Sequence, residues 1–131
     1  MQFAATRIIT DDVDRLVAFY ERVTGVAAAR LHALFAEIRT ERGTLAISSS
    51  ATVPMMGDGV AEARANRSVI LDFLVDDVDA LYPTLKSTVE VVAEPATMPW
   101  GNRSLLFRDP DGNLVNFFTP VGPDARERFA S

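Results

Sequence analysis

The residue types of this 131-residue chain limit the chemistry that it could carry out. There are no cysteines, which excludes disulfides, thiolate nucleophiles and sulfur-ligated metals. Imidazole is a suitable general base, but the single histidine, His32, falls near a predicted turn between two strands, where a solvated side chain without a role is favoured. Two carboxylates remain as weak catalytic candidates, Asp72 in SVILDFLV and Glu37 in FAEIR. Strand alternation places Glu37 opposite to Ala36 and Ile38, and an exposed strand face is its favoured interpretation.

Composition narrows the classes of partner. With 48% hydrophobic and 24% charged residues, the chain has the profile of a soluble globular protein. Its 13 basic residues are scattered and outnumbered, and the net charge is −5, which argues against nucleic acid and anionic membranes as partners. No apolar run approaches the ~18 residues of a membrane span, and MQFAATRIIT lacks the features of a secretory signal. We therefore expect a cytoplasmic protein.

A near-repeat divides the chain into halves. DDVDRL at residues 11–16 returns as DDVDAL at residues 76–81, 65 residues later and with one substitution in six positions. Each copy follows an extended apolar run, at residues 3–9 and 68–75, and precedes apolar residues with helical periodicity. Asp12 and Asp77 are suited to cap these helices, and Gly25 can end the first. An interior proline, Pro83, predicts a kink or a restarted turn in the second helix.

Three more extended segments follow each predicted helix. They lie at residues 26–31, 33–40 and 44–49 in the first half, and at residues 89–94, 103–108 and 113–119 in the second. Arg42-Gly43 and Asp109-Pro110-Asp111-Gly112 are predicted turns. The pattern predicts an α+β fold of two tandem βαβββ modules that form a curved mixed sheet around a shared cleft. We expect one domain, with module one at about residues 1–50, a connector at 51–67, module two at 68–120 and a polar tail at 121–131.

Two segments resemble the vicinal oxygen chelate superfamily, which includes glyoxalases, dioxygenases and bleomycin resistance proteins. They are DDVDRLVAFYERVTGV at residues 11–26 and PWGNRSLLFRDPDGNLVNFF at residues 99–118. The match covers nearly the whole chain and is specific for the fold, while the reaction is not specified. The resemblance implies the tandem βαβββ modules, their shared cleft and a homodimer.

The resemblance also implies a metal site, but this chain has different residues at the ligand positions. Enzymes of the family hold one divalent metal with His or Glu from the first and fourth strands of each half, where it acts as a Lewis acid. The matching positions here are Ala5, Ile70, Asn116 and, with an uncertain register, Ala46. One carboxylate near an amide is a poor set of ligands for a divalent cation. We therefore expect no metal and no cofactor.

Arg7 and Asp72 each lie two residues beyond one of these positions, so alternation points both side chains toward the expected cleft. They are expected to neutralise each other, to meet a polar ligand or to form a structural ion pair. Trp100 offers a surface for stacking an organic ligand, with core or interface packing equally favoured. The predicted ligand-binding residues are Arg7, Asp72, Trp100, Asn116 and Phe118. Residues 55–59, MMGDG, could form a flap over the cleft.

Three functions are compatible with these features. The favoured one is a metal-free protein that binds or sequesters a small organic molecule, planar or cationic, in the cleft. The second is a glyoxalase-like or dioxygenase-like enzyme with a divergent metal site, or with metal-free proton transfer by Asp72 or Glu37 and an oxyanion held by Arg7. The third is an assembly domain whose cleft is filled by its own side chains, as Ala5 and Ile70 would allow.

Overall fold

In the computed structural model, which describes residues 1–130, the first DDVD motif begins helix α1 at Val13–Thr24. The Oδ1 atom of Asp12 accepts a hydrogen bond from the backbone N–H of Arg15 at 3.1 Å, as expected of an N-cap. Gly25 ends the helix with a φ of 71°, in the left-handed region that glycine adopts without steric cost. Both predicted ends of this helix are confirmed.

The second DDVD motif begins helix α3 at Val78–Leu85, with Asp77 Oδ1 accepting from the N–H of Ala80 at 3.2 Å. Helix α3 continues through Pro83, so the predicted restarted turn was wrong, while the predicted kink stays a prediction. Pro83 lies only two residues before the helix ends, so it removes one hydrogen bond near a terminus rather than in the middle of a long helix.

The first unit, Met1–Asn66, contains a four-stranded sheet in the order β1-β4-β3-β2. Strand β1 pairs in parallel with β4, and the other two pairings are antiparallel. The strands are β1 at Thr6–Thr10, β2 at Ala29–His32, β3 at Phe35–Arg39 and β4 at Thr44–Ser49. Strand β2 begins three residues later than predicted, because the N–H of Ala28 donates to the carboxylate of Glu21 at 2.8 Å and holds the chain beside α1.

The second unit, Arg67 onward, has the same topology, with its sheet in the order β5-β8-β7-β6. Strand β5 pairs in parallel with β8, and the other pairings are antiparallel. The strands are β5 at Ile70–Leu74, β6 at Glu90–Thr97, β7 at Asn102–Arg108 and β8 at Leu114–Pro120. The two sheets and their helices confirm the α+β class and the tandem βαβββ modules.

Each unit has an apolar core between its sheet and its first helix. The stripe of α1 is buried along its whole length, at Val13, Leu16, Val17, Tyr20 and Val23. In the second unit, helix α3 fully buries only two of its apolar residues, Val78 and Leu85. Its Leu81 is 38% exposed. The most buried strand residues of the two cores are Ala36, Ile38 and Ile47 in the first unit and Leu105, Phe107, Val115 and Phe117 in the second.

Each module ends in a short helix that the sequence did not indicate. After β4, a 3-10 turn at Ser50–Thr52 leads into helix α2 at Val53–Met56, within the expected connector. The expected polar tail instead forms helix α4 at Pro123–Phe129. Helix α4 is ordered by apolar contacts, since Ala125 is buried and the ring of Phe129 lies 5.0 Å from that of Phe118. Ser131 lies outside the described residues.

None of the helices within residues 1–130 is long and apolar enough to cross a membrane.

Candidate functional site

Each sheet has one side that packs on its first helix and an opposite side, which we call the distal face. In the first unit, α1 lies against β3 and β4, so the fully buried Ala36 and Ile38 mark the helix side of β3. Strand alternation then places Phe35, Glu37 and Arg39 on the distal face. The predicted site residues on strands, namely Arg7, Glu37, Asp72, Asn116 and Phe118, all lie on the distal face of their own sheet.

Strand register places Arg7 and Glu37 in one row across the first sheet. Ala46 of β4 is paired with Arg7 on one side and with Glu37 on the other. In the second sheet, Asn116 of β8 is paired with Asp72 in the same way that Ala46 is paired with Arg7. Ala46 is therefore the counterpart of Asn116 in the first sheet. This fixes the one metal-ligand position of the family whose place in the sequence was uncertain.

Glu37 is neutralised within its own strand. Its Oε1 atom accepts from Arg39 through both Nε, at 2.8 Å, and Nη2, at 2.7 Å, and its side chain is 19% exposed. Both contacts commit one oxygen of Glu37 to Arg39, so the carboxylate is engaged within its own strand, which weakens Glu37 as a candidate for contact with a substrate. His32 is exposed at the end of β2, where its Nδ1 accepts from the N–H of Leu34 at 3.1 Å.

Arg7 extends from β1 toward helix α2. Its Nη2 atom lies 3.5 Å from the sulfur of Met56, a weak acceptor, and the side chain is exposed to solvent. No sequence signal connected Arg7 to Met56, because the contact depends on the unpredicted fold of the connector.

Asn116 and Asp72 form the most specific polar arrangement on the second distal face. The Nδ2 atom of Asn116 donates to Asp72 Oδ1 at 2.9 Å. The Oδ1 atom of Asn116 is buried and has no hydrogen-bond partner among residues 1–130. The opposite orientation of the amide would place its oxygen against the Asp72 carboxylate, so the hydrogen bond fixes which atom is buried. The result is an oriented acceptor beside an exposed carboxylate.

Apolar side chains adjoin this pair on the same face of β5. Ile70 is 50% exposed and Leu74 is 38% exposed, on either side of Asp72 along the strand. Phe118 is only 5% exposed and packs on Phe129, so its ring is covered by helix α4. Trp100 is 67% exposed in the turn before β7, where the N–H of Gly101 donates to the carbonyl of Met98 at 2.9 Å.

A family model matches residues 2–117, nearly the whole chain, and is described as the glyoxalase/bleomycin resistance protein/dioxygenase superfamily. The chain belongs to this superfamily. The uncharacterized protein YraH of Bacillus subtilis strain 168 is 28% identical over 125 residues, which cover 90% of this chain and 98% of that protein.

Solved structures of this superfamily's fold are also similar. A protein of unknown function from Agrobacterium tumefaciens str. C58 has a TM-score of 0.78 and 26% identity, over 91% of this chain and 94% of its own. A glyoxalase/bleomycin resistance protein/dioxygenase from Nocardioides has a TM-score of 0.75 and 22% identity, over 94% of this chain and 85% of its own. At that identity the second similarity shows the fold alone.

The metal of the superfamily's enzymes does not fit the residues present here. Ala5, Ala46 and Ile70 have no side-chain atom that can bind a metal, so the amide oxygen of Asn116 is the one ligand that these four positions offer. Within the described chain, no three His, Asp or Glu side chains form a group that could hold a metal ion. A divalent cation requires several oxygen or nitrogen ligands, which these positions do not provide.

One tyrosine on the other side of the second sheet has a perturbed pKa. Tyr82 of α3 donates from its hydroxyl to Glu94 Oε1 of β6 at 3.0 Å. Partial burial raises the pKa of the Tyr82 phenol above its ordinary value of 10.0, and the hydrogen bond to Glu94 and the charge of its carboxylate raise it further.

We expect Glu94→Gln to lower the pKa of Tyr82, because it removes the charge while keeping an acceptor. The two phenols can be followed separately by NMR of 13Cζ-labelled tyrosine from neutral to alkaline pH, with Tyr82→Phe used to assign the signals. An unchanged Tyr82 titration in Glu94→Gln would contradict the assigned role of the carboxylate.

Proposed function

We propose that this superfamily member binds a small organic molecule at the distal face of its second sheet, without the help of a metal. The observation that carries the proposal is the buried Oδ1 atom of Asn116, which is oriented by Asp72 and has no hydrogen-bond partner in the part of the chain that the structure describes. A buried acceptor without a hydrogen bond costs about 1–3 kcal/mol, and a ligand that donates to it removes that cost. The site therefore favours molecules with an N–H or O–H group at this point.

The surroundings suggest the rest of the ligand. Asp72 carries a negative charge next to the acceptor, which favours an ammonium, amidine or similar donor over an anion. Ile70 and Leu74 provide exposed apolar surface on either side of this carboxylate. A planar or cationic organic molecule with an apolar body satisfies all three features. Trp100 is proposed to stack on such a body. The ring of Phe118 is covered by helix α4, so Phe118 is not proposed to contact the ligand.

Asn116→Leu tests the proposal, because it keeps the side-chain volume and removes both amide groups. Binding of a compound found in a thermal-shift panel of cationic dyes and antibiotics should weaken by about 10-fold, the loss expected for one hydrogen bond. Isothermal titration measures the change, with metal content checked by elemental analysis. Asn66→Leu, in the connector, is the matched control and should leave the affinity unchanged.

Two results would count against binding at this face. One is equal affinity of the wild-type protein and Asn116→Leu for every compound in the panel. The other is a panel in which no compound raises the melting temperature of the wild-type protein.

An enzyme using Asp72 for proton transfer is the alternative. The observation in its favour is that Asn116 fixes one oxygen of an exposed carboxylate, which is how a base is held in position. Asp72→Asn separates the two functions. It should abolish turnover of any substrate while the fold is kept, whereas a binding protein loses only affinity for cationic ligands.

A further inference from the structure

The strand arginines of the two sheets differ in how their charge is satisfied. Among residues 1–130 there are five, and four of them contact an oxygen atom. Arg30 pairs with Asp14 at 2.9 Å, Arg39 with Glu37 at 2.7 Å and Arg103 with Asp79 at 2.6 Å, while Arg108 donates to the carbonyl of Gly112 at 3.1 Å. The fifth, Arg7, contacts only the sulfur of Met56.

The position of Arg7 explains why the protein itself leaves it without a carboxylate. Its neighbour on the distal face is Ala46, whose methyl group has nothing to donate or accept. The nearest acidic residue in the row is Glu37, two strands away, or roughly 10 Å between Cα atoms. Arg39 already occupies the Glu37 carboxylate. The guanidinium of Arg7 is therefore not neutralised within the first sheet.

The Arg7 side chain is exposed to solvent, and three apolar side chains lie in its neighbourhood on the distal face. Ile9 lies on the same face of β1, Phe35 lies across the sheet on β3, and the thioether of Met56 is the contact of the guanidinium. A guanidinium forms two parallel charge-assisted hydrogen bonds with a carboxylate, and these are stronger than hydrogen bonds between neutral groups. A thioether accepts weakly, so an incoming carboxylate replaces it with a gain.

We infer that Arg7 is an anchor for the carboxylate of a small organic acid whose apolar body lies against Ile9, Phe35 and Met56. This site shares no residue with the Asn116 site of the second sheet, so it does not depend on the function proposed above. The two sites also favour ligands of opposite charge. Arg7 favours an anion, whereas Asp72 favours a hydrogen-bond donor or a cation.

The test compares 2-naphthoate with 2-naphthamide, which has the same apolar body without the charge. Isothermal titration should show that the wild-type protein binds the acid more tightly than the amide. Arg7→Gln should weaken naphthoate binding by about 2-fold to 5-fold, as loss of a solvent-exposed charge pair predicts, and leave the amide unaffected. Arg7→Lys should recover part of the affinity, because it restores the charge but not the fork of donors. Arg15→Gln, on the exposed side of α1, removes the same charge elsewhere and should have no effect.

Three results would overturn the inference: no binding of naphthoate to the wild-type protein, equal binding of acid and amide, or equal weakening by Arg7→Gln and Arg15→Gln. The outcome is separable from that of the second-sheet proposal. Asn116→Leu should leave naphthoate binding unchanged, and Arg7→Gln should leave the binding of cationic compounds unchanged.

Discussion

Replacing Phe117 by alanine is expected to destabilise the second module by about 3–5 kcal/mol, the range observed when a buried aromatic side chain is truncated. Phe117 is 1% exposed at the centre of β8. Its ring makes edge contacts with Phe73, at 5.6 Å between centroids, and with Phe107, at 5.0 Å. Truncation loses both aromatic contacts and leaves a cavity between the sheet and α3.

Urea unfolding followed by circular dichroism measures this loss. Leu74→Ala is the matched control, because Leu74 lies on the distal face of the same sheet and is 38% exposed, so it should cost less than about 1 kcal/mol. A loss of 3–5 kcal/mol is a large part of the total stability of a small domain, so Phe117→Leu provides a milder variant that remains measurable. Equal losses for Phe117→Ala and Leu74→Ala would contradict the assignment of the two faces.

The elements that the sequence predicted correctly are those determined by local chemistry. Asp12 and Asp77 cap helices because a carboxylate can accept from N–H groups two or three residues away in the chain. Gly25 ends α1 because it adopts a positive φ without strain. Strand β4 matches its predicted bounds, residues 44–49, because a turn on one side and polar residues on the other delimit an apolar run.

The elements that were missed depend on contacts between distant parts of the chain. Helix α4 has a polar sequence without an apolar stripe, although Pro123 at its start and Arg128 in its last turn are local helix signals. The packing of Phe129 on Phe118 and the burial of Ala125 stabilise it and could not be read from the sequence. Helix α2 is four residues long, which is too short to show helical periodicity in sequence. Pro83 was overestimated as a helix breaker because α3 ends two residues after it.

The candidate site was partly predictable, because side chains alternate between the two faces of a strand. Alternation along β1 and β5 placed Arg7 and Asp72 on the distal faces, and register confirms their equivalent positions beside Ala46 and Asn116. The unpartnered oxygen of Asn116 could not be predicted, because it depends on how the amide is turned by Asp72. The homodimer and the cytoplasmic location stay predictions.

The DPDGN segment, which is part of the second segment that carries the resemblance, has a structural role in this protein. It forms the turn between β7 and β8, in which the N–H of Gly112 donates to the carbonyl of Asp109 at 3.0 Å. Asp109 is 4% exposed, and its Oδ1 accepts from the backbone N–H groups of Asp111 and Asn113, both at 2.9 Å. Its Oδ2 accepts from the side chain of Asn113 at 2.8 Å. The segment therefore indicates the fold and carries no information about the reaction.

Asp109→Ala is accordingly expected to destabilise the second module by about 2–4 kcal/mol, because it leaves buried or half-buried donors of Asp111 and Asn113 without their acceptor. Asp109→Asn should cost less, since its carbonyl oxygen can still accept from the two backbone N–H groups. Urea unfolding measures both, with Asp58→Ala in the exposed connector as a control for removing one negative charge. Equal stability of Asp109→Ala and Asp58→Ala would contradict the structural role assigned to the Asp109 carboxylate.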